Sequence, residues 1–209
     1  MKLKHDSRAG FSLIELLAVI VILGILAAFL VPRLAGMGDA TRVSLTRSQL
    51  SVLEATIKEY EHEMGDYPPS SWKQEWGSQP NGVNLGAEVL YVSLWSDDYG
   101  GTSIKEDELI NTDNDQSRKG LTSLGSKDLF ELRDAWDNPI AYFHRRDYDR
   151  GDLYVTYDPN TGDEIEDTVK ARVSSKTKSP HNPRTFQLIS AGPNGTFGDD
   201  DDVSNFEDE

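Results

Sequence analysis

Apolar residues are concentrated near the amino terminus, where one long run contains almost no charge. The run from Phe11 to Val31 is apolar except for Ser12 and Glu15. An α-helix of about 21 residues rises by ~1.5 Å per residue and matches the hydrocarbon core of a bilayer, which is roughly 30 Å thick. The pattern therefore predicts a membrane-spanning helix over residues 11–31.

A second apolar pattern, with helical spacing, follows Pro32. Its members recur every three, four or seven positions: Val43, Leu50, Leu53, Ile57, Tyr60 and Met64. Charged residues occupy the other faces, so the segment predicts an amphipathic helix that packs on a sheet of its own domain rather than an extended coiled coil. Pro32 lacks a backbone donor and is expected to bend the helix. Gly65, followed by two prolines, ends the predicted helix, which covers residues 11–64.

The apolar segments beyond this helix are shorter and predict strands. Three stretches are strand candidates: residues 140–143, Leu153 to Tyr157 and Phe186 to Ser190. Residues 163–178 are first acidic and then basic, which is typical of a long exposed loop or an extended hairpin. Residues 65–209 are long enough for one domain only. A long helix packed on a small antiparallel sheet is an α+β fold.

Residues 72–126 are polar and carry few structural signals. Within them, Leu85 to Leu94 is apolar but too short to distinguish a helix from a strand. Aromatic residues recur along the stretch: Trp72, Trp76, Tyr91, Trp95 and Tyr99. Such residues are more typical of a local core than of a surface that recognises a sugar or a protein.

One spacing in this stretch resembles the opening of a calcium-binding loop. Asn111, Asp113 and Asp115 occupy alternate positions. An EF-hand requires glycine at its sixth position and glutamate at its twelfth, where this chain has Gln116 and Thr122. We therefore reject an EF-hand and expect a solvated turn.

The distribution of charge constrains the location of the chain and its partners. The basic residues Lys2, Lys4 and Arg8 precede the apolar run, and the positive-inside rule places them in the cytoplasm. The domain that follows would then face outward. The net charge of the chain is −15, which argues against nucleic acid as a partner.

The residue inventory gives no support for catalysis. The chain has no cysteine, so neither disulfides nor thiol chemistry is available. The sequence contains no nucleophile elbow, no phosphate-binding glycine loop and no His-Glu-x-x-His motif. We expect a protein that is not an enzyme.

Four consecutive carboxylates near the carboxyl terminus are the strongest candidate for a metal site. Asp199, Asp200, Asp201 and Asp202 lie in a glycine-rich segment, and a hard divalent cation would relieve their mutual repulsion. Adjacent side chains point in different directions, so about two of the four are expected to bind. Calcium fits better than zinc, because cysteine is absent and the histidines are widely scattered.

The junction between Gly10 and Phe11 resembles the class III signal of type IV pilin-like proteins. The matching positions of the mature chain are its first, fifth and twenty-second residues: Phe11, Glu15 and Pro32. The resemblance implies that a prepilin peptidase removes the leader, residues 1–10, and that Phe11 is then N-methylated. It also implies that the subunits assemble into a helical filament.

Glu15 has three possible roles. A carboxylate near the centre of a membrane helix costs roughly 2.5–3.5 kcal/mol, so it needs a partner. Within one chain, the amine of Phe11 lies one helical turn away. The resemblance implies instead that Glu15 pairs with the Phe11 amine of a neighbouring subunit and sets the axial register. A third interpretation places Glu15 in the headgroup layer, with no role in assembly.

Two further motifs narrow the resemblance to the major pseudopilins of type II secretion. The segment from Gly65 to Pro68 is similar to the Gly-x-Tyr-Pro turn that follows their long helix. Residues 132–143 are similar to their Asp-Pro-Trp-Gly-Asn-Pro-Tyr signature, although Ala135 replaces the usual Pro and Asp137 the usual Gly. The signature predicts a turn before a strand, with the tryptophan as a core residue or a hydrogen-bonded anchor. Relative to a compact pseudopilin, residues 72–126 are an insertion.

The acidic segment resembles the calcium loop of the same proteins, here residues 188–205. The resemblance implies that backbone carbonyls at Leu188 and Ser190 join the carboxylates of residues 199–202 as calcium ligands. Asn194 stands where Asp is common in the family.

The resemblance implies a structural subunit of a pseudopilus that assembles from the bacterial inner membrane and drives type II secretion. Its partners would be further copies of the chain, the prepilin peptidase, the inner-membrane secretion platform and the minor pseudopilins. A type IV pilin or a minor pseudopilin is an alternative with the same amino terminus. An alternative of another class is a membrane-tethered, extracytoplasmic binding module whose aromatic insertion recognises a ligand.

Overall fold

The structure covers most of the chain and divides it into two compact units. The computed structural model describes residues 13–99, 102 and 104–207, and of residues 27–37 it describes the backbone alone. The units are Met1–Thr41 and Arg42–Glu209. Gly10 and Phe11, the predicted processing site, lie outside the described residues.

The long helix predicted from the sequence is present. Helix α1 runs without interruption from Leu13 to Met64. It ends where the sequence predicts, because the amide of Gly65 donates to the carbonyl of Glu61 at 2.8 Å and closes the last turn. The bend expected at Pro32 stays a prediction.

The described side chains at the start of α1, residues 13–26, include large apolar ones that are exposed. Their exposed fractions run from 46% for Val19 to 84% for Leu13. None of the helices in the described part of the chain has the length and hydrophobicity needed to cross a bilayer.

The second unit is α+β, as predicted. Beyond α1, its described residues form helix α2 and seven strands: α2 Leu85–Leu94, β1 Leu109–Ile110, β2 Glu131–Leu132, β3 Ala141–His144, β4 Gly151–Tyr157, β5 Glu164–Lys170, β6 Phe186–Ser190 and β7 Val203–Ser204. Single 3₁₀ turns occur at Gln74–Trp76, Glu106–Glu108, Arg145–Asp147 and Gly192–Asn194. The strands form three small antiparallel sheets among the described residues, ordered β1-β2, β3-β6-β7 and β4-β5.

The strand predictions are confirmed with small shifts. Strand β6 has the predicted bounds, β4 begins two residues earlier, and β3 begins one residue later than expected. Of the two alternatives for residues 163–178, a hairpin is present in their first part, where β5 pairs with β4 from Gly151↔Lys170 to Tyr157↔Glu164. The ambiguous segment Leu85–Leu94 is a helix, and all ten of its residues are buried. A helix buried on every side has no polar face, which explains why its sequence lacks a period.

The apolar face predicted for α1 lies in the core of the second unit. Leu50, Leu53, Ile57 and Tyr60 are between 0% and 5% exposed. They belong to the same cluster as Leu90, Tyr91, Leu94, Tyr142, Phe186 and Leu188, which come from α2, β3 and β6. Burial of one such aliphatic side chain stabilises the fold by about 1.5–3 kcal/mol. Met64 was predicted on the same face but is 44% exposed, because it is the last residue of the helix.

The aromatic residues of the insertion are mainly core residues, as expected. Tyr91, Trp95 and Tyr99 are at most 5% exposed and lie in the same cluster as the face of α1. Trp72 and Trp76 are only partly buried, and their rings pack edge to face with centroids 5.3 Å apart.

Helix α2 packs on β3 at backbone contact distance. A Cβ atom at Gly86 would lie 2.2 Å from the carbonyl oxygen of Tyr142 and 2.9 Å from the hydroxyl oxygen of Tyr154. Glycine is therefore the one residue that permits this approach. Because the nearest obstacle is backbone, a larger side chain would have to displace the helix from the sheet.

We expect Gly86→Ala to lower the free energy of unfolding by about 1–3 kcal/mol or more, since overpacking against a backbone carbonyl cannot be relieved by side-chain rotation. Thermal unfolding of the detergent-solubilised chain, followed by circular dichroism, measures the effect. Gly38→Ala is the matched control, because nothing lies within 4 Å of that Cβ position. The control should keep the melting temperature or raise it, since alanine favours a helix. Equal melting temperatures for both variants would contradict the packing of α2 on β3.

Candidate functional site

The acidic carboxyl-terminal segment is held at both ends by the sheet. Strand β6 ends at Ser190, and β7 returns antiparallel to it with Ser190 opposite Val203. The connection between them, residues 191–202, is therefore a closed loop. At its start, Gly192 has a φ of +66°, and a Cβ atom there would lie 2.3 Å from the carbonyl oxygen of Asp201. The close approach of Gly192 brings the beginning of the loop against its acidic end.

Two of the four predicted carboxylates each have one oxygen without a hydrogen-bond partner. Oδ1 of Asp201 and Oδ1 of Asp202 are buried and lack a hydrogen-bond partner. Asp199 accepts from Nδ2 of Asn194 at 2.7 Å, and Oδ2 of Asp202 accepts from the amide of Gly198 at 2.9 Å. Asp200 is exposed.

The electrostatics of the loop follow from this burial. Burial raises the pKa of Asp202 to about 7, although the amide of Gly198 and the guanidinium of Arg172 act in the opposite direction. Burial, together with the neighbouring Asp199, raises the pKa of Asp201 to about 6. Burial also acts to raise the pKa of Asp199, but hydrogen bonds with Asp201 and Asn194 outweigh it, so this pKa is lowered. The loop thus contains carboxylates that are poorly compensated by the protein itself.

The remaining predicted ligands, Leu188 and Ser190, are fully buried in β6. The carbonyl of Leu188 accepts a hydrogen bond from the amide of Asn205 at 3.2 Å, which leaves one lone pair. The hydroxyl of Ser190 donates to Oδ2 of Asp134 at 2.6 Å. Among the described residues, Asp199 to Asp202 do not form a group of three carboxylates with oxygens within 4.8 Å of one another. Calcium binding by this loop stays a prediction.

The tryptophan signature forms the turn that the sequence predicts, and Asp134 organises it. Oδ1 of this buried carboxylate accepts from the amides of Trp136 and Asn138 at 2.8 and 3.0 Å. Burial raises the pKa of Asp134 to about 6 against these hydrogen bonds. Trp136 is a core residue, and its indole nitrogen has no hydrogen-bond partner. Asp137, which stands where the related signature has Gly, adopts a φ of +64°. The turn therefore connects to the acidic loop through Asp134 and Ser190.

The assembly residues predicted in α1 are only partly described. Glu15 lies in the first turn of α1 and is exposed to solvent. A carboxylate at this position is stabilised by the helix dipole by about 0.3–1 kcal/mol. Its predicted partner, Phe11, lies outside the described residues, as does the side chain of Pro32.

The sequence reasoning missed a buried group of carboxylates. Oxygens of Glu88, Asp113 and Glu131 lie within 4.8 Å of one another, and Asp115 is next to them. The expectation of a solvated turn at residues 111–115 is wrong, because both carboxylate oxygens of Asp115 are buried. The usable signal was the single charge within the apolar segment Leu85–Leu94, namely Glu88.

Comparison with known proteins agrees with the resemblance drawn from the sequence. Residues 6–31 match the model of the prokaryotic N-terminal methylation motif. Type II secretion system core protein G of Pseudomonas aeruginosa is 33% identical over 66 residues, which are 32% of this chain and 46% of that protein. The protein of the same name from Klebsiella michiganensis is 36% identical over 66 residues, with the same coverage. The chain thus spans a little less than half the length of these two curated relatives. No solved structure matches the chain significantly.

A longer match comes from Vibrio cholerae. Its type II secretion system core protein G is 35% identical to this chain over 104 residues, which are 46% of this chain and 71% of that protein. This coverage extends well beyond the methylation motif. The chain therefore belongs to the family of the type II secretion system core protein G, the major pseudopilins.

Proposed function

We propose that the chain is a structural subunit of a pseudopilus that drives type II protein secretion. The observation that carries the proposal is the apolar surface of α1 in the first unit. Eleven large apolar side chains between Leu13 and Leu26 are exposed, with fractions from 46% to 84%. A helix that is apolar on all sides needs lipid or other protein to cover it. In a filament subunit, lipid would cover this surface while the subunit is in the membrane, and neighbouring subunits would cover it after assembly.

The membrane stage of this proposal rests on residues 11–31. As a sequence, this run has the length and hydrophobicity of a bilayer span, although the described part alone does not, and the basic residues before it favour a cytoplasmic amino terminus. The second unit would then lie in the periplasm, and the anchor would lie in the bacterial inner membrane. The match of residues 6–31 to the methylation motif supports this topology.

The filament stage begins with processing. Cleavage after Gly10 by a prepilin peptidase and methylation of Phe11 would create a new amine near Glu15. Within a filament, Glu15 pairs with the Phe11 amine of a neighbouring subunit, which fixes the axial register of otherwise uniform apolar helices. The inner-membrane secretion platform and the minor pseudopilins are the further partners in this proposal.

Calcium bound by the carboxyl-terminal loop is the second component of the proposed function. Two observations support it: the unpaired buried oxygens of Asp201 and Asp202, and the raised pKa of both groups. A cation there would neutralise the acidic end of the loop, which lies against Gly192. It would also stabilise the short strand β7, which follows the loop directly.

The mass of the amino-terminal peptide tests the processing step. In cells that contain a prepilin peptidase, the mature chain should begin at Phe11 and carry one methyl group on its amine. The same chain expressed without the peptidase should keep residues 1–10. An amino terminus downstream of residue 31, with the protein free in solution, would contradict the proposal.

Glu15→Ala should abolish ordered filaments while leaving the fold of the second unit intact, because the register contact is lost but no core residue changes. Electron microscopy and sedimentation of the processed protein measure assembly. Glu59→Ala is the control, since it removes an exposed carboxylate from the part of α1 in the second unit. Ordered filaments from the Glu15 variant would show that the carboxylate does not set the register.

Calcium should raise the melting temperature of the chain. A ligand at 100 times its dissociation constant adds about 2.7 kcal/mol to stability, which corresponds to roughly 5–10 °C for a chain of this size. Asp201→Ala combined with Asp202→Ala should remove the part of this gain that comes from the carboxyl-terminal loop. Asp200→Ala is the matched control, because that side chain is exposed. A double variant with the full calcium response would refute a site in this loop.

A further inference from the structure

A cluster of carboxylates lies in the second unit, where α2, β2 and the segment 111–115 meet. Glu88 belongs to α2 and Glu131 to β2, whereas Asp113 belongs to the chain segment that connects these two elements. One oxygen from each of the three lies within 4.8 Å of the other two. We call these three residues, with the neighbouring Asp115, the acidic cluster. It is separate in sequence from residues 188–205.

Glu88 is the most informative member of the acidic cluster. Its side chain is completely buried, and neither of its carboxylate oxygens accepts a hydrogen bond from an N–H or hydroxyl donor, so its contact with the carboxyl of Asp115 is a hydrogen bond only when the pair holds a proton. Both oxygens of Asp115 and Oδ1 of Asp113 are also buried without a partner. Within the described part of the chain, none of the four carboxylates forms an ion pair with a Lys, Arg or His residue. Desolvation of an uncompensated carboxylate costs several kcal/mol, so this arrangement requires a positive charge or bound protons.

The surroundings hold the cluster in place. Glu131 is fully buried and accepts from Nδ2 of Asn84 at 3.1 Å and from the amide of Thr112 at 3.1 Å. Oδ2 of Asp113 accepts from Nδ2 of Asn81 at 2.6 Å. Each of these hydrogen bonds leaves oxygen lone pairs free and fixes the orientation of a carboxylate.

Asn84 connects the hydrogen bonds around the acidic cluster to strand β4. Its side chain is buried, and besides Glu131 it contacts Thr112 at 2.7 Å. Its Oδ1 accepts from the amide of Val155 in β4 at 3.0 Å. Its own amide donates to the carbonyl of Leu153 at 2.8 Å. Ligands oriented by a second layer of hydrogen bonds are characteristic of metal sites.

We propose that Glu88, Asp113 and Glu131, with Asp115 beside them, bind a divalent cation of the calcium type. All the donors are oxygens, which suits hard cations and disfavours zinc. Two ligands on opposite sides of a calcium ion are about 4.6–5.2 Å apart, twice the usual Ca–O distance of about 2.3–2.6 Å. One oxygen from each of Glu88, Asp113 and Glu131 lies within 4.8 Å of the other two, which is compatible with that limit. Asn111, whose Nδ2 donates to the carbonyl of Asp115 at 3.0 Å, also has a buried Oδ1 without a hydrogen-bond partner.

The cation would join three segments that are distant in sequence. Glu88 belongs to the buried helix α2, whereas Asp113 and Asp115 belong to the irregular part of the insertion. Binding would therefore hold the irregular part of the insertion against the core. It would also replace the repulsion between the four carboxylates with the attraction of each carboxylate to the cation. This role does not depend on the proposed function of the chain.

The alternative to a bound cation is that carboxylates of the acidic cluster are protonated. Burial, and after it the charges of Asp115 and Glu131, raise the pKa of Glu88 to about 11. Burial and Asp113 raise the pKa of Asp115 to about 6. A protonated cluster would bind no cation and would be stabilised by replacing a carboxylic acid with an amide. In the presence of calcium, the two states therefore give opposite results for the same substitution, whereas a higher melting temperature without calcium does not distinguish them.

The test uses the full chain in detergent, treated with a chelator and then dialysed against calcium chloride. Bound calcium is measured as equivalents per chain. In the background Asp201→Ala, Asp202→Ala, which removes the proposed carboxyl-terminal site, we expect one equivalent to remain and calcium to raise the melting temperature. Adding Glu88→Gln should remove that equivalent and the thermal shift. Adding Glu106→Gln, an exposed carboxylate of the insertion, should change neither.

Asp113→Asn provides a second variant in case the Glu88 variant does not fold, because Asp113 is only partly buried. It should lower the affinity for calcium at least tenfold while the circular dichroism spectrum of the calcium-free chain stays the same. Absence of the remaining equivalent from the double-variant background overturns the proposal. So does a Glu88→Gln variant that, in saturating calcium, melts no lower than its parent, because a cluster that held a cation would lose a ligand and the stabilisation by calcium.

Discussion

Burial of α2 on all sides is the constraint on which the rest of the second unit depends. The helix contributes Leu90, Tyr91 and Leu94 to the cluster that contains the apolar face of α1. On its other side, Ala87 belongs to a second cluster with Phe143 and Tyr154. The contact between Gly86 and the backbone of β3 fixes the distance between helix and sheet. Both apolar clusters are therefore built on one short helix, and the insertion that contains it is part of the core rather than an appendage.

Much of the fold could be predicted from the sequence, because most elements carry a local signal. The face of α1 repeats with helical spacing, and β4 and β6 are short apolar segments bounded by turns. The sequence of Leu85 to Leu94 did not distinguish a helix from a strand, because a fully buried helix shows neither a polar face nor an alternation of polar and apolar residues. Spacing alone predicts Met64 on the buried face of α1. However, spacing does not show at which residue the packing of the domain against the helix ends. Local patterns therefore succeed where one face of an element meets water.

The candidate sites divide in the same way. The carboxyl-terminal acidic loop is visible in the sequence because its four carboxylates are adjacent. The acidic cluster is not visible, because Glu88, Asp113 and Glu131 are brought together only by the packing of α2 against β2 and the intervening segment. Its single local sign was a charge in an apolar helix, which costs too much to be present without a partner. The family resemblance added nothing here, since it draws on the amino terminus, two turns and the acidic loop.

The contact at Gly86 also limits how the family can diverge. Any residue with a Cβ atom at this position meets the carbonyl of Tyr142, so the helix and the strand can change only together. A relative that preserves this arrangement must retain glycine at the equivalent position, whereas one with a bulkier residue must hold the helix farther from its sheet. That one position can therefore sort homologues into those that share this insertion architecture and those whose inserted segment has evolved a different layout.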